Sequence, residues 1–278
     1  MPSTKDKINN HGLFALFKGA PNTAKSGAAY SFPNPFIFDF DRKMPTVAIK
    51  HFPNKEFNWE VFDDVFAVSA FLEPWMNGKV QCPYETLIVD TVTSLSTLCL
   101  CSVDKTKGTD VIKMMQHKMI GKGGAVSVEV MGFDYYNAEA NFFERYFMEA
   151  LRILWAREGN PKHVIVIAHE ISREQSNMIT GITTVTKTIV TAGTKVAAFI
   201  PSRFDEEYVF ESRKPPLGQT GDNARVCITQ NGDNARTAFK FPNVIDFTNK
   251  SLYDILDQTA HWSEVPIALA GASVLTNK

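Results

Sequence analysis

Short apolar runs, each about the length of one strand, alternate along the chain with segments of helical periodicity. The apolar runs predict buried strands at residues 13–17, 36–41, 84–90 and 163–170. Apolar residues at helical spacing predict amphipathic helices at residues 56–72, which Pro74 ends, and at residues 137–158. In an α/β sheet the carboxyl ends of the strands carry the ligand chemistry, so polar residues at the ends of these runs are the first candidates for a site.

The remainder of the chain predicts shorter elements and a β-rich C-terminal part. Strands are predicted at residues 44–51, 196–200, 207–211, 225–229 and 236–241, with a closing helix at 251–257. Residues 1–11 are polar and predict a loose arm, and residues 258–278 predict a tail. We therefore expect one core domain over residues 12–257.

Residues 19–26 lie between the first predicted strand and a run of small residues that begins a helix. Their spacing fits the phosphate-binding P-loop pattern G-x-x-x-x-G-K-[ST], with alanine where the second glycine is usual. Such a loop aims backbone N–H groups at a triphosphate, while a lysine reaches the β- and γ-phosphates and a hydroxyl ligates Mg²⁺. The predicted nucleotide-binding residues are Gly19, Ala20, Pro21, Asn22, Thr23, Ala24, Lys25, Ser26 and Gly27, with Ser26 as the Mg²⁺ ligand. The alternative is a strand–turn–helix junction with a surface lysine.

Three other predicted strands end in residues that bind metals or move protons. Asp90 ends an apolar strand and precedes a helix, which is the Walker B pattern, and would hold Mg²⁺ through water opposite Ser26. Asp41 would serve as a general base or position water, unless Asp39 and Asp41 only cap a turn. His169 would sense the γ-phosphate or the attacking water, or is structural.

Two lysine-bearing segments are candidates for contact with single-stranded DNA. Residues 104–131 predict a long irregular excursion with mobile glycines, and such excursions tend to be functional. Residues 172–195 predict a second DNA loop or a hairpin. The candidate DNA-binding residues are Lys113, Lys118, Lys122, Lys187 and Lys195. The alternative for the first segment is a solvated lysine face.

Composition indicates the cellular compartment and limits how the protein could bind nucleic acid. Of 278 residues, 44% are hydrophobic and 21% charged, which is ordinary for a globular protein, and the net charge of −1 limits DNA contact to a local patch. The cysteines fit no zinc pattern and predict free buried thiols in a reducing compartment; they are Cys82, Cys99, Cys101 and Cys227. No signal peptide and no 18-residue apolar run is present, so we expect a cytoplasmic protein without a membrane partner.

The order of these motifs resembles that of the RecA-like P-loop ATPases, and most closely the phage-encoded recombinase and single-strand annealing ATPases. The likeness rests on the P-loop, the acid-ended strands and the run Ala168-His169-Glu170, with softer similarity at residues 31–39, 234–237, 245–248 and 252–256. It covers residues 12–257. The resemblance implies a RecA-like core, in which a mostly parallel twisted sheet carries helices on both faces.

The resemblance also implies ATP and Mg²⁺ as ligands and rings or filaments on single-stranded DNA, with ATP bound between protomers in the host cytoplasm. A single-strand DNA-binding protein is a candidate partner. Asp41 matches the acid that activates water, where the family usually has glutamate; Asp90 matches the Mg²⁺-ordering acid and His169 the sensor. Arg236 falls where a basic residue can reach a neighbour's γ-phosphate, and Arg225 is a second candidate.

Two function hypotheses follow. The first is a DNA-dependent ATPase of phage recombination that promotes annealing or strand exchange. The second is a nucleotide-binding ring whose assembly is the function, with weak or no hydrolysis, since Ala24 and Asp41 both depart from the pattern. A P-loop kinase or small-molecule enzyme is disfavoured by the β-rich C-terminal part and the lack of a basic lid.

Overall fold

The computed structural model describes residues 12–107, 115–121, 124–130, 133–157, 159–176, 183–215, 220–230 and 235–264. The predicted arm at residues 1–11 lies outside them. The strands are β1 (Phe14–Gly19), β2 (Pro35–Asp39), β3 (Asn58–Glu60), β4 (Thr86–Asp90), β5 (Met115–Gly121), β6 (Gly124–Val130), β7 (His163–Ser176), β8 (Thr183–Ile189), β9 (Glu206–Arg213), β10 (Ala224–Ile228) and β11 (Val244–Asp246). The helices are α1 (Lys25–Tyr30), α2 (Met44–His51), α3 (Val65–Met76), α4 (Val92–Lys107), α5 (Phe133–Phe143), α6 (Glu149–Trp155), α7 (Thr194–Phe199) and α8 (Leu252–Ala260).

One sheet organises the described part of the chain, in the order β11-β10-β9-β1-β7-β4-β2-β3, with β8 paired to β7. The strands from β9 to β3 are mutually parallel, whereas β10, β11 and β8 pair antiparallel with their neighbours. This confirms the predicted α/β fold with a mostly parallel sheet. The register places Gly19 beside His169 and Asp39 beside Asp90, so the carboxyl ends of β1, β7, β4 and β2 form one edge.

Helices cover both faces of the sheet because side chains alternate along its strands. On β1, Phe14 and Leu16 face a core shared with α3, α4 and α6, whereas Ala15 and Phe17 face a core shared with α1 and α8. Parallel strands buried on both faces carry near-continuous apolar runs, which explains the runs in the sequence.

Two predicted elements before the Walker B strand are wrong in type or extent. Residues 44–51 form helix α2, not a strand, because Pro45 fits the first helical turn and the Asp39 carboxylate accepts from the amides of Lys43 (3.0 Å) and Met44 (2.9 Å). Of the helix predicted at 56–72, residues 58–60 form β3 and the helix begins only after Asp64, whose side chain accepts from the Ala67 amide at 2.8 Å.

Two helix predictions also miss an internal feature. Helix α3 runs through Pro74 to Met76. A proline inside a helix removes the bond to the carbonyl four residues earlier and crowds that carbonyl, but here the carbonyl belongs to the exposed Ala70 and can turn toward water. The predicted helix at 137–158 begins at Phe133, passes through a π-helical turn at Glu144–Met148 and ends at Trp155. The aromatic stripe stays buried through that turn, at Phe143 and Phe147.

The C-terminal part is less rich in strands than predicted. Residues 196–200 fall in α7 and the 3₁₀ turn after it, because the run Lys-Val-Ala-Ala buries only Val196 and alanine favours helix. Residues 236–241 supply only an isolated bridge between Arg236 and Glu207. Helix α8 continues to Ala260, and Trp262 beyond it is buried at 1% exposure, so packed chain extends past residue 257.

The two lysine-bearing segments are regular where they are described. In the first segment, predicted to be irregular, residues 104–107 continue α4, and residues 115–121 pair as β5 with β6 at residues 124–130. Residues 172–195 include the hairpin of β7 and β8, in register from Glu170–Ile189 to Ser176–Thr183.

Candidate nucleotide-binding site

The loop after β1 has the backbone of a phosphate-binding loop. Gly19 has φ 149°, and a Cβ there would lie 2.4 Å from the Phe210 carbonyl oxygen on β9, so only glycine fits. Asn22 and Ala24 also have positive φ, of 64° and 66°. Asparagine tolerates this conformation, but alanine pays about 1–2 kcal/mol for it. Ala24 therefore keeps the loop geometry of the usual glycine at a cost in stability.

Lys25 is 4% exposed at the start of α1 and points back into the loop. Its Nζ donates to the carbonyl oxygens of Gly19 (2.9 Å) and Ala20 (2.7 Å) and to the Thr23 hydroxyl (3.2 Å). Burial lowers the pKa of Lys25 from its usual 10.5 to about 8, although the negative charges of Asp90 and Glu170 act the other way. The ammonium is thus held among neutral oxygens, where an entering phosphate would find a strong, poorly compensated cation.

Asp90 ends β4 next to the loop and is 4% exposed. Tyr30 on α1 donates its hydroxyl to Asp90 Oδ2 at 2.9 Å. Burial raises the pKa of Asp90 to about 6, while hydrogen bonds from Ser26 and Tyr30 lower it. A hydroxyl beside a carboxylate offers the hard oxygen ligands that Mg²⁺ prefers. Among the described residues no group of three acidic, histidine or cysteine side chains could hold a metal, so Mg²⁺ would be bound by Ser26 and Asp90 together with phosphates.

The two acids at the carboxyl end of β2 have different tasks. Asp39 caps α2, as described above. Asp41 does not cap a helix: its side chain is 9% exposed, and its Oδ1 accepts from the hydroxyls of Thr91 (3.0 Å) and Ser94. Its Oδ2 lies 3.5 Å from the Nζ of Lys43, an exposed lysine. The turn-capping alternative therefore holds for Asp39 only.

His169 lies beside Gly19 in the sheet and faces the same cavity. Burial and the charge of Lys25 lower its pKa, against the opposite effect of Asp41. Its Nδ1 atom is buried and bonds to no group of the described residues. The lowered pKa favours the neutral imidazole, whose Nδ1 has no hydrogen-bond partner among the described residues.

A cavity of about 400 Å³ brings these side chains together. It is lined by the P-loop from Pro21 to Gly27 and by Asp41, Asp90, His169 and Arg225. A second cavity of about 310 Å³ adjoins it, shares Ala24, Gly27, His51 and Arg225 with it, and is also lined by Phe52 and Phe247. A polar chamber continued by one with aromatic walls fits a triphosphate attached to a nucleoside.

Comparison with known families agrees with this geometry. Residues 12–238 match the family described as "AAA domain". The chain belongs to this family. It is therefore a P-loop ATPase of the AAA type, which binds nucleotide and typically uses Mg²⁺. None of the curated proteins compared with the chain matches it.

Arg225 and Arg236, the two candidates to contact a γ-phosphate, lie in different places. Arg225 on β10 lines the nucleotide cavity of its own chain. Arg236 lies instead by a separate cavity of about 540 Å³, where its guanidinium contacts Glu207 (2.7 Å), the Phe204 carbonyl (2.6 Å) and the Pro201 carbonyl. The structure thus brings Arg225, but not Arg236, to the P-loop of the same protomer.

The candidate DNA-binding lysines that the structure describes lie on three separate elements. Lys113 and Lys122 lie outside the described residues, and Lys118 is on β5 opposite Ser127. Lys187 is exposed on β8 and lines the 540 Å³ cavity, while Lys195 on α7 donates to the Asn137 side chain. Cys82, Cys99 and Cys227 are free and buried. No helix in the described ranges is long and apolar enough to cross a membrane.

Sequence reasoning missed four residues at the site: Tyr30, His51, Thr91 and Ser94. Tyr30 had a usable signal, since it lies four residues after Ser26 and so shares its face of α1. Thr91 and Ser94 follow the Walker B aspartate directly, but their target, Asp41, is fifty residues away. Only the neighbouring positions of β2 and β4 make that contact visible.

Proposed function

We propose that this AAA domain is a DNA-stimulated ATPase of phage recombination, which assembles as a ring or filament on single-stranded DNA and promotes annealing or strand exchange. The observation that carries the ATPase part is the convergence of Lys25, Ser26, Asp90, Asp41 and His169 on one cavity. The recombination part rests on the family resemblance of the motifs and on the hairpin described below.

Each side chain has a position suited to one task in phosphoryl transfer. Lys25 would bind the β- and γ-phosphates, and Ser26 with Asp90 would hold Mg²⁺, which supplies charge neutralisation at the phosphates when bound. Asp41 would accept a proton from the attacking water, and His169 would contact the γ-phosphate or that water. Arg225, in the same cavity, would stabilise charge on the phosphates of its own protomer. Arg236 would need to leave Glu207 to reach a neighbouring protomer.

The hairpin supports contact with DNA. Strand β7 is 14 residues long, but only its first part, to His169, pairs with β1; beyond that point it pairs with β8 alone. The hairpin therefore begins beyond His169, the residue of β7 that lines the candidate nucleotide cavity. Its threonines and Lys187 would offer hydroxyls and a charge to a DNA backbone. DNA bound to the hairpin would therefore act next to His169, because the hairpin begins at the following residue, Glu170.

A second candidate is a nucleotide-binding assembly protein with slow or no hydrolysis. The observation that favours it is the short side chain of Asp41, together with the positive φ of Ala24, both departures from the usual pattern. Both candidates predict nucleotide binding, homo-oligomers and Lys25 as an essential residue. They differ in turnover.

The test is steady-state ATP turnover with and without single-stranded oligonucleotide, alongside sedimentation with and without Mg²⁺-ATP. We expect DNA to stimulate wild-type turnover, and Lys25→Ala to lose at least about 100-fold of it. Lys79→Ala, which removes an exposed lysine between α3 and β4, is the matched control and should behave as wild type. Nucleotide-dependent assembly without turnover would favour the second candidate. A wild-type protein that binds no nucleotide would overturn both.

A further inference from the structure

Asp41 is anchored to the Walker B segment through both its backbone and its side chain. The amides of Phe40 and Asp41 both donate to the Asp90 carbonyl, at 2.8 and 3.2 Å. The hydroxyls of Thr91 and Ser94 then donate to the same carboxylate oxygen, Oδ1 of Asp41. The residues that follow the metal-binding aspartate therefore fix the position and the rotation of the second carboxylate.

The spacing of the hydroxyls at the start of α4 explains why these two reach Asp41. Thr91 and Ser94 are three residues apart and share one side of the helical turn, which the bond from the Leu95 amide to the Thr91 carbonyl closes at 3.0 Å. Thr93 and Ser96, also three apart, point elsewhere. Thr93 donates to the Val190 carbonyl at 2.6 Å, and Ser96 accepts from the Ala192 amide at 2.9 Å. One pair of hydroxyls thus serves the carboxylate and the other holds the segment after β8.

We propose that Thr91 and Ser94 are positioning residues for ATP hydrolysis. Two hydroxyl donors occupy Oδ1 of Asp41, so Oδ2, which lies 3.5 Å from the Nζ of the exposed Lys43, is the oxygen left to take a proton from water in the cavity. Thr91 is 1% exposed, which keeps water from competing for its hydroxyl. An aspartate reaches less far than a glutamate, and holding it rigidly in one orientation offsets that loss. This role rests on the proposed hydrolytic function.

Hydrolysis at this site would transfer the γ-phosphoryl group of ATP to water. The oxygen of the attacking water forms a bond to the γ-phosphorus, while the bond from that phosphorus to the β,γ-bridging oxygen breaks. One proton of the water passes to Asp41 Oδ2. ADP leaves with the bridging oxygen, orthophosphate carries the water oxygen, and Asp41 returns its proton to phosphate or solvent. A carboxylate free to rotate would present Oδ2 to the water only part of the time.

The test separates each hydroxyl from its side-chain volume. Thr91→Val removes the Thr91 hydroxyl while keeping the shape of the side chain, and Thr91→Ser keeps the hydroxyl. Ser94→Ala removes the Ser94 hydroxyl. Thr97→Val is the matched control, because Thr97 is exposed on the same helix and its hydroxyl donates, among the described residues, to the Thr93 carbonyl alone, at 3.2 Å. Each variant is also made in an Asp41→Ala background. The measurements are kcat, KM, and the affinities for Mg²⁺-ADP alone and with aluminium fluoride, which mimics the transferring phosphoryl group.

We expect Thr91→Val and Ser94→Ala to lower kcat about 10- to 100-fold, as small misplacements of reacting groups do, with KM and Mg²⁺-ADP affinity unchanged. Thr91→Ser should retain most of the turnover, and Thr97→Val all of it. In the Asp41→Ala background the same substitutions should have no further effect, because their action passes through Asp41. With Asp41 present, Thr91→Val and Ser94→Ala should each also reduce the gain in affinity that aluminium fluoride gives to Mg²⁺-ADP.

Two results would overturn the proposal. One is wild-type turnover in Thr91→Val and Ser94→Ala; the other is a loss of the same size with and without Asp41. Failure of the proposed function is distinguishable, because it shows in the wild type as binding without DNA-stimulated turnover. In that case the positioning role is tested by whether Thr91→Val and Ser94→Ala reduce the affinity gain with aluminium fluoride. A wild-type protein that neither hydrolyses ATP nor gains affinity with aluminium fluoride would remove hydrolysis and the positioning role together.

Discussion

Two buried lysines, seven residues apart, lie at the same edge of the sheet and are stabilised in opposite ways. Lys18 is 3% exposed, and its Nζ lies 2.7 Å from Glu207 and 3.7 Å from Glu170. Lys25 is 4% exposed and donates to two carbonyls and a hydroxyl, and no ion pair joins it to a carboxylate of the described residues. The first charge is neutralised within the fold, while the second is not.

The difference separates a folding role from a binding role. Lys18 shares the parity of Phe14 and Leu16 along β1 and so lies on the α4 side of the sheet, where Arg236 completes a cluster with Glu207. Lys25 lies on α1, on the other side. A buried charge that is hydrogen-bonded but has no paired counter-charge costs stability. Retaining one at the mouth of a cavity is reasonable only if an anion enters there, so Lys25 is the lysine that identifies the phosphate site.

The largest effect should come from Lys18→Met, which leaves two buried carboxylates without their lysine. We expect the free energy of unfolding to fall by about 3–5 kcal/mol, the usual result of breaking a buried ion pair, as measured by urea denaturation. Arg42→Met is the control. Arg42 and Asp63 are also 2.7 Å apart but exposed, at 68% and 83%, and such pairs contribute less than about 1 kcal/mol. Equal losses in the two variants would remove the distinction between the lysines.

Lys25→Met is expected to raise the free energy of unfolding, the opposite of Lys18→Met. The folded-state pKa of about 8 lies below the unfolded value of 10.5, so the charged lysine costs about 3 kcal/mol at pH 7, at about 1.4 kcal/mol per pH unit. The three lost hydrogen bonds, at about 0.5 kcal/mol each or more, offset at least half of this, so we expect a net gain in stability of about 1.5 kcal/mol at most in the nucleotide-free protein. The unfolded state binds more protons between pH 8 and 10.5, so wild-type stability should rise over that range and the gain should shrink.

Urea denaturation of wild type and Lys25→Met at pH 7 and pH 10 measures both parts of that prediction. A variant less stable than wild type at pH 7, or a gain that does not shrink at pH 10, would show that the loop oxygens already compensate the ammonium. In that case Lys25 would resemble Lys18, and its burial would say nothing about a ligand.

What the sequence could predict here is what depends on local order. The P-loop spacing around Lys25 and the acid at the end of an apolar strand, Asp90, follow from neighbouring residues and from the rule that ligands bind at the carboxyl ends of strands. Contacts that depend on strand order could not be predicted. Whether Asp39 or Asp41 caps the next helix depends on β2 lying beside β4, and the separation of Arg225 from Arg236 depends on how β9 and β10 pair.

The errors in secondary structure have a similar cause. Residues 44–51 read as a strand because the side chain that caps their helix, Asp39, lies outside the segment, just before the Lys43 and Met44 amides that donate to it. Residues 196–200 read as a strand because they are apolar, although helix α7 buries only Val196 fully among its own residues. An apolar run of five residues does not distinguish a strand from a short helix, and packing decides.

The smallest effect should come from Tyr30→Phe, which tests whether Asp90 belongs with Lys25 as a charge held ready for a ligand. The Tyr30 hydroxyl favours the ionised form of Asp90, whose pKa burial raises to about 6. Without that donor the pKa of Asp90 should rise further, so stability should fall by about 1 kcal/mol at pH 7.5, where the carboxylate is charged, and by less at pH 4.5, where it is protonated in the folded protein. Thermal unfolding of the nucleotide-free protein at the two pH values measures this. Saturating Mg²⁺ and ADP should recover most of the loss, because a cation at Asp90 replaces the stabilisation that the hydroxyl gave. A loss of equal size at both pH values, unaffected by Mg²⁺ and ADP, would instead make Tyr30 a packing residue and Asp90 a carboxylate that the fold stabilises without it.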